Sequence, residues 1–290
     1  MKSMNIKSEN LRVEVAEPGS RYKGPRFDWT GFITQVVLDA KYEFCTIEKV
    51  PKGSESFAGA GLCGEFGIFC PVGYDDAKPG EHFPKIGTGL LAKADNEPYN
   101  FFKRYDFLPF KTVVEKPDES TMVFRQAPEN CRGYSFEYEK TLTVNKNILE
   151  IRSLLKNVGK KRIQTVEYNH NFVNLDGKEV GPGYRLDFNF KPVKNSICKG
   201  IGLKDDAIVF PEVPENAFYC RPEGFDRNIP VTAQISCTGG GPKIKISGDF
   251  KTELIALWGM SHVVSPELFI NIDLGPGGKQ SWTRRYEFCA

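Results

Sequence analysis

The chain has 290 residues, 40 % of them hydrophobic, which is enough apolar material to bury a sizeable core without covalent staples. Its 39 Lys and Arg nearly balance 37 Asp and Glu, so neither nucleic acid nor an anionic membrane surface is the expected partner. The eight cysteines are scattered from Cys45 to Cys289, with no Cys-x-x-Cys pair and no Cys/His spacing of a metal site, so no metal is expected.

In chain order, the opening MKSMNIKSENLRVEV has no apolar run suited to a signal peptide, and no later window approaches a membrane span. With reduced, scattered thiols this points to a cytoplasmic protein. The segment Pro71–Asn100, PVGYDDAKPGEHFPKIGTGLLAKADNEPYN, is rich in Gly, Pro and acids and carries little strand signal. A loop laid over one face is expected there, and with it much of any binding specificity. From Phe136 onward the period is two: Phe136, Tyr138, Lys140, Leu142 and Val144 alternate with Glu137, Glu139, Thr141 and Thr143. A turn at Asn145-Lys146-Asn147 leads to ILEIRSLL, and Asn157-Val158-Gly159 leads to RIQTVEYNHNF, which predicts a meander of at least three strands. The basic run Lys156, Lys160, Lys161, Arg162 around that second turn is expected to be solvated. Beyond it come YRLDFNFKPV from Tyr184, then KIKISGDF, ELIALWG, LFINIDL and WTRRYEF, punctuated by Gly, Pro and Ser.

This pattern, with 28 Gly and 19 Pro, predicts an all-β protein of large stacked antiparallel sheets. No linker and no fixed-period repeat interrupts it, so one domain over 1–290 is expected.

One of the three histidines lies in the strand VEYNHNFVNLDG. On a strand Val166, Tyr168, His170 and Phe172 share one face, and Glu167, Asn169, Asn171 and Val173 share the other. Partial desolvation among aromatics would keep His170 at or below its ordinary pKa, near neutrality, where a proton donor or acceptor is useful. Aromatic and polar neighbours also suit a sugar. A structural histidine bonded inside the core is the competing expectation.

Asn169-His170-Asn171-Phe172-Val173-Asn174-Leu175 resembles the N-H-x-Y-F-N-L motif of the aldose 1-epimerases, or galactose mutarotases. A second likeness is SPELFINIDLGPGGKQSWTRRYEF, Ser265 to Phe288, which is similar to the family's closing pattern. The resemblance spans about residues 160–290. It implies a β-supersandwich with a sugar cleft, His170 as general acid and Glu267 as general base, acting on a small-molecule sugar without a cofactor. On the strand containing it, Glu267 shares a face with Phe269, Asn271 and Asp273, opposite Leu268, Ile270, Ile272 and Leu274; a cleft position and a solvated face fit that pattern equally.

The same resemblance leads one to look for an arginine and a further histidine from the N-terminal half. GLCGEFGIFCPVGY, Gly61 to Tyr74, supplies no arginine, leaving His82 and Lys85 in GEHFPKIGTGLL and Arg104 in FFKRYDF as candidate substrate-binding donors. The family's intermediate aspartate has no clear counterpart in NAFYCRPEGFDR, where Phe218 and Tyr219 stand and Asp226 comes late. Trp258 and His262, in LWGMSHVVSPE, are candidates to line the cleft, although Trp258 fits an ordinary core position too. A changed hydroxyl-reading shell implies a changed sugar: a modified sugar, an oligosaccharide end or a hexose phosphate in place of galactose, with no arginine cluster to favour the phosphate. Two other functions share these residues: a carbohydrate-binding protein without turnover, and a lyase or isomerase in which His170 takes a C–H proton and Lys85 or Arg104 neutralises the adjacent acid. Oligomeric state is not encoded legibly.

Overall fold

The structure, a computed structural model, describes residues 3–127 and 129–290. Among them the regular structure is strand, apart from two single-turn 3₁₀ segments, and no helix is long and apolar enough to cross a membrane. All eight cysteines carry free thiols.

Two large antiparallel sheets stack on one another. The first runs, edge to edge, Ser3–Lys7, Leu11–Ala16, Ile33–Leu38, Leu62–Phe66, Ile163–Asn171, Val263–Leu274, Leu254–Met260 and Phe218–Cys220, with Tyr42–Glu43 as a side branch. The second runs Gly202–Lys204, Ala207–Val209, Tyr184–Phe188, Thr232–Cys237, Lys243–Gly248, Lys279–Cys289, Ile148–Asn157, Phe136–Asn145, Thr121–Gln126 and Thr112–Glu115. Alternation puts one side chain in two from each sheet into the shared core. There Phe66 meets Tyr138 edge-on at 5.3 Å and Phe44 meets Phe288 at 4.9 Å.

The expected three-strand meander is only a hairpin. Phe136–Asn145 and Ile148–Asn157 pair as predicted, but the chain then crosses over and Ile163–Asn171 joins the other sheet beside Val263–Leu274. Asn157 fixes the crossover: its buried side-chain amide donates to the carbonyls of Lys161 and Leu274 at 2.8 and 2.9 Å. The segment 71–100 also departs from expectation. It contains the strands His82–Lys85 and Gly89–Ala92, which with Phe107–Pro109 form a small third sheet. Its alternation was too short and too interrupted by Gly and Pro to register as strand. Phe83, Leu91, Tyr74 and Tyr105 give this sheet its own buried cluster.

The asparagines around His170 belong to the intersheet face. Asn169 donates through Nδ2 to the Tyr286 hydroxyl at 2.9 Å, and that hydroxyl donates to Asn171 Oδ1 at 2.9 Å. Asn171 Nδ2 donates to the Pro266 carbonyl at 2.7 Å. Two positions earlier, Glu167 receives Arg284 Nη2 at 2.5 Å. Buried polar groups are tolerable when their partners are supplied in this way. The network locks the strand so that its opposite face, with buried Tyr168, His170 and Phe172, turns away from the intersheet core.

Candidate active site

His170 and Glu267 come from adjacent strands. Ile163–Asn171 pairs with Val263–Leu274 as far as Glu167↔Ile270; beyond that point Tyr168–Asn171 turns to pair with Leu62–Glu65. The strands stay in contact through the Asn171 amide, which donates to Ser265 Oγ at 2.9 Å. His170 Nε2 therefore stands 3.4 Å from Glu267 Oε1. The two are side by side on one wall, not on opposite sides of a pyranose. Both are nearly sequestered, at 5 % and 3 % exposure, so Glu267 does not lie on a solvated face.

Ser265 fixes the proton arrangement. Its hydroxyl donates to Glu267 Oε1 at 3.0 Å and accepts the Asn171 amide. The contact of 3.3 Å between Ser265 Oγ and His170 Nδ1 must then be donated by the ring, which assigns the proton to Nδ1 from the network. Nε2 is left with a lone pair facing a carboxyl oxygen. Two bare lone pairs would repel at 3.4 Å, which favours a neutral carboxyl beside the neutral imidazole. Burial, and secondarily the Arg26 charge, hold the imidazole well below its ordinary pKa. Burial pushes Glu267 up to about 8, against the lowering influence of the Ser265 hydrogen bond and Arg26. Burial thus favours a protonated carboxyl beside a neutral imidazole, whereas the sequence resemblance implies an acidic histidine and a basic glutamate.

Aromatic packing holds the imidazole in place. Phe172 stacks on it with centroids 4.1 Å apart and planes 8° from parallel, and Trp258 and Phe27 meet it edge-on at 4.9 and 5.8 Å. Phe172 can lie there because residue 59 is glycine: a β-carbon at that position would sit 2.3 Å from the Phe172 ring.

Gly61–Tyr74 contributes no arginine, but Arg26, in the loop GPRFDW, reaches this region from elsewhere in the chain. Its Nε donates to Glu65 Oε2 at 2.8 Å and its Nη2 to the Tyr168 hydroxyl at 3.2 Å. Tyr168 donates to the same Glu65 oxygen at 2.6 Å. Glu65 is wholly buried, and its other oxygen receives Lys85 Nζ at 3.4 Å; Lys85 also donates to the Tyr99 hydroxyl at 3.0 Å. Burial lowers the Lys85 pKa to about 8 even beside Glu65. The Arg26 loop is itself anchored to the second sheet. Asp28 accepts Lys140 Nζ at 2.6 Å and the Tyr138 hydroxyl at 3.1 Å, all inside the core.

These groups border a cavity of about 440 Å³, whose wall includes His170, Glu267, Arg26, Tyr168, Trp258 and Glu48. Its mouth is formed by Ile68, Phe69, Phe101, Phe102, Tyr219 and Arg221. The size falls within the usual range for small-molecule sites. Another cavity of about 420 Å³ lies on the second sheet; of its charged groups, Arg125 pairs with Glu139 at 2.7 Å and Lys156 with Glu137 at 3.3 Å.

Of the residues expected at the site, the structure brings His170, Glu267 and Trp258 to the cavity wall. Lys85 stands behind it, attached through Glu65. His82, Arg104 and His262 lie outside it. His82 begins a strand of the small third sheet and its carbonyl accepts the Cys131 thiol; Arg104 covers the Phe57 ring at 4.5 Å; His262 Nε2 contacts the Ile47 carbonyl at 3.2 Å. Arg26, Glu48, Tyr219 and Arg221 were not anticipated. Arg26 carries little signal, being one of several charges in the turn RYKGPRFD. Tyr219 and Arg221 lie in NAFYCRPEGFDR, where the family's aspartate has no clear counterpart.

No family model matches the sequence, and no curated protein matches it. Solved structures do. A galactose mutarotase-related enzyme from Lactobacillus acidophilus superposes with a TM-score of 0.62 at 13 % identity, covering 100 % of this chain and 98 % of that one. A galactose mutarotase-like protein from Lactobacillus casei gives 0.56 at 14 %, covering 99 % and 100 %. An aldose epimerase homologue from C. elegans gives 0.57 at 11 %, covering 99 % and 98 %. At these identities the likeness concerns architecture, and it extends over the whole length: the chain has the galactose mutarotase-like β-sandwich fold.

Proposed function

We propose that the protein is an aldose 1-epimerase-like enzyme that interconverts the anomers of a sugar by acid–base ring opening. The observation that carries this reading is the 3.4 Å approach of His170 Nε2 to Glu267 Oε1 on the wall of a cavity of about 440 Å³. Ring opening needs one proton removed from the anomeric hydroxyl and one delivered to the ring oxygen. Both oxygens are bonded to the same carbon, so the groups that serve them must be neighbours, and this pair is. Glu267, holding the proton, donates to the ring oxygen; His170, with Nε2 free, accepts from the hydroxyl. The neutral pair becomes an imidazolium–carboxylate pair in the open-chain state. Rotation about the bond between the anomeric carbon and its neighbour, then reversal of both transfers, closes the other anomer and restores the starting protonation. Each proton transfer contributes on the order of 10²–10⁴ in rate. Arg26 and Glu48, which also line the cavity, are the proposed hydroxyl-binding groups, with Trp258 offering an aromatic face.

The roles of acid and base are thus interchanged from those the sequence resemblance implied, while the residues are the same. Polarimetry or NMR of freshly dissolved α-anomers across a panel of aldoses tests the proposal. Equilibration faster than in buffer, with no change of mass or unsaturation, is expected for at least one sugar. Saturable binding without acceleration would make this a carbohydrate-binding protein; an unsaturated product would make it a lyase.

A further inference from the structure

The His170 cavity does not end at its mouth. It shares Phe69 with a neighbouring cavity of about 520 Å³ beside Arg227, Glu253 and Leu254, and Tyr219 with a third of about 390 Å³ beside Asn195 and Glu223. Arg221 borders all three. At these junctions Phe69 and Tyr219 are 50 % and 49 % exposed, which leaves aromatic surface open to a ligand. Phe69 continues a stack that begins inside the cavity: Tyr168 lies on Phe269 at 4.3 Å, and Phe269 on Phe69 at 5.9 Å, with interplanar angles of 11° and 17°. The Arg221 guanidinium lies over both exposed rings, 5.7 Å from Phe69 and 5.9 Å from Tyr219, and its Nε donates to the Tyr219 hydroxyl at 3.1 Å. Among the described residues no carboxylate forms a salt bridge with it, whereas Arg227 in the next cavity is paired with Glu253 at 3.0 Å.

We propose that this groove binds a linear oligosaccharide, with its reducing-end unit at His170 and Glu267 and the following units on the Phe69–Tyr219–Arg221 platform. The inference rests on the anomer-exchange reading and adds a substrate class to it. A monosaccharide would occupy the first cavity and leave the platform bare. A chain of pyranoses offers alternating C–H faces for the rings and hydroxyls for the remaining Arg221 N–H donors. Charge near balance over the whole chain and the pairing of Arg227 leave little net positive field for a polyanion.

The test compares glucose, maltose, cellobiose and the corresponding tetrasaccharides by anomer-equilibration kcat/KM and by calorimetric binding, in wild type, Phe69→Ala and Tyr219→Ala. Both rings are half exposed, so truncation leaves the core intact. Tetrasaccharides are expected to outperform glucose, and each truncation to lower the tetrasaccharide-to-glucose ratio by about three- to tenfold. Equal kcat/KM at every length, unchanged by the truncations, overturns the groove and leaves anomer exchange standing. Should no sugar be equilibrated at all, anomer exchange fails, and calorimetry still decides the groove: tighter tetrasaccharide than glucose binding, weakened in Tyr219→Ala, supports it, and equal binding overturns it.

Discussion

Replacing Glu267 by Gln should change how stability depends on pH, by an amount set by the site's burial. Folded Glu267 titrates at about 8 because it is desolvated, whereas an unfolded glutamate titrates near ~4.3. Between those values the folded chain holds a proton that the unfolded chain has released. Stability from this group is therefore fully present below the unfolded value and is lost as pH rises through the folded one. His170 has the opposite sign. Burial lowers its folded pKa, so its contribution is present above the unfolded value near ~6.5 and is lost as pH falls. From about pH 4.5 to 6.5 the two slopes oppose each other. From about pH 6.5 to 8 Glu267 acts alone at roughly 1.4 kcal/mol per pH unit, or about 2 kcal/mol across the window. Glutamine keeps the shape and an acceptor for Ser265 but does not titrate. Urea denaturation at half-unit steps from pH 6.5 to 8 should show wild type losing about 2 kcal/mol relative to Glu267→Gln. Other titrating groups, Lys85 included, are common to both proteins and cancel in the comparison. Parallel stability profiles would refute the assignment of a proton to buried Glu267.

Three further perturbations follow from the surrounding network. Arg26→Ala leaves Glu65 buried with only Lys85 as a cationic partner; a loss of about 3 kcal/mol in denaturant unfolding is expected, with weakened sugar binding in calorimetry. Lys140→Ala strands Asp28 in the core and should cost about 3–5 kcal/mol; because Asp28 anchors the Arg26 loop, KM for any sugar turned over should rise as well. Ser265→Ala removes the donor to Glu267 and the acceptor for His170, so the Glu267 pKa should move further up, seen as an alkaline displacement of the rate profile, with about 1 kcal/mol lost in stability.

Much of the architecture is visible in alternation. Phe136–Asn145, Ile148–Asn157 and the final strands show clean two-residue periods because one face of each packs into the core. Sheet membership is not visible that way. The crossover after Asn157 depends on an amide reaching Leu274, 117 residues on, and nothing local distinguishes it from a hairpin turn. The strand Ile163–Asn171 also misled by polarity: its inward row carries Glu167, Asn169 and Asn171, satisfied by Arg284 and Tyr286 from the other sheet. His170 and Glu267 were legible through the motifs that contain them, but their contact arises from strand adjacency, and their neutral forms from burial. The remaining wall comes from turns distant in sequence. Arg26 is delivered by the Asp28–Lys140 anchor across 112 residues, whereas His82 and Arg104, selected for residue type and region, fall outside the cavity.

The account turns on one proton shared between an imidazole and a carboxyl that both reach the anomeric centre. Its most direct test is the rate of anomer equilibration, on whichever sugar wild type accelerates, in His170→Asn and Glu267→Gln with far-ultraviolet circular dichroism confirming the fold. Each variant should lose about 10²–10⁴ in kcat, with sugar binding retained in calorimetry. Wild-type turnover in either folded variant would contradict it.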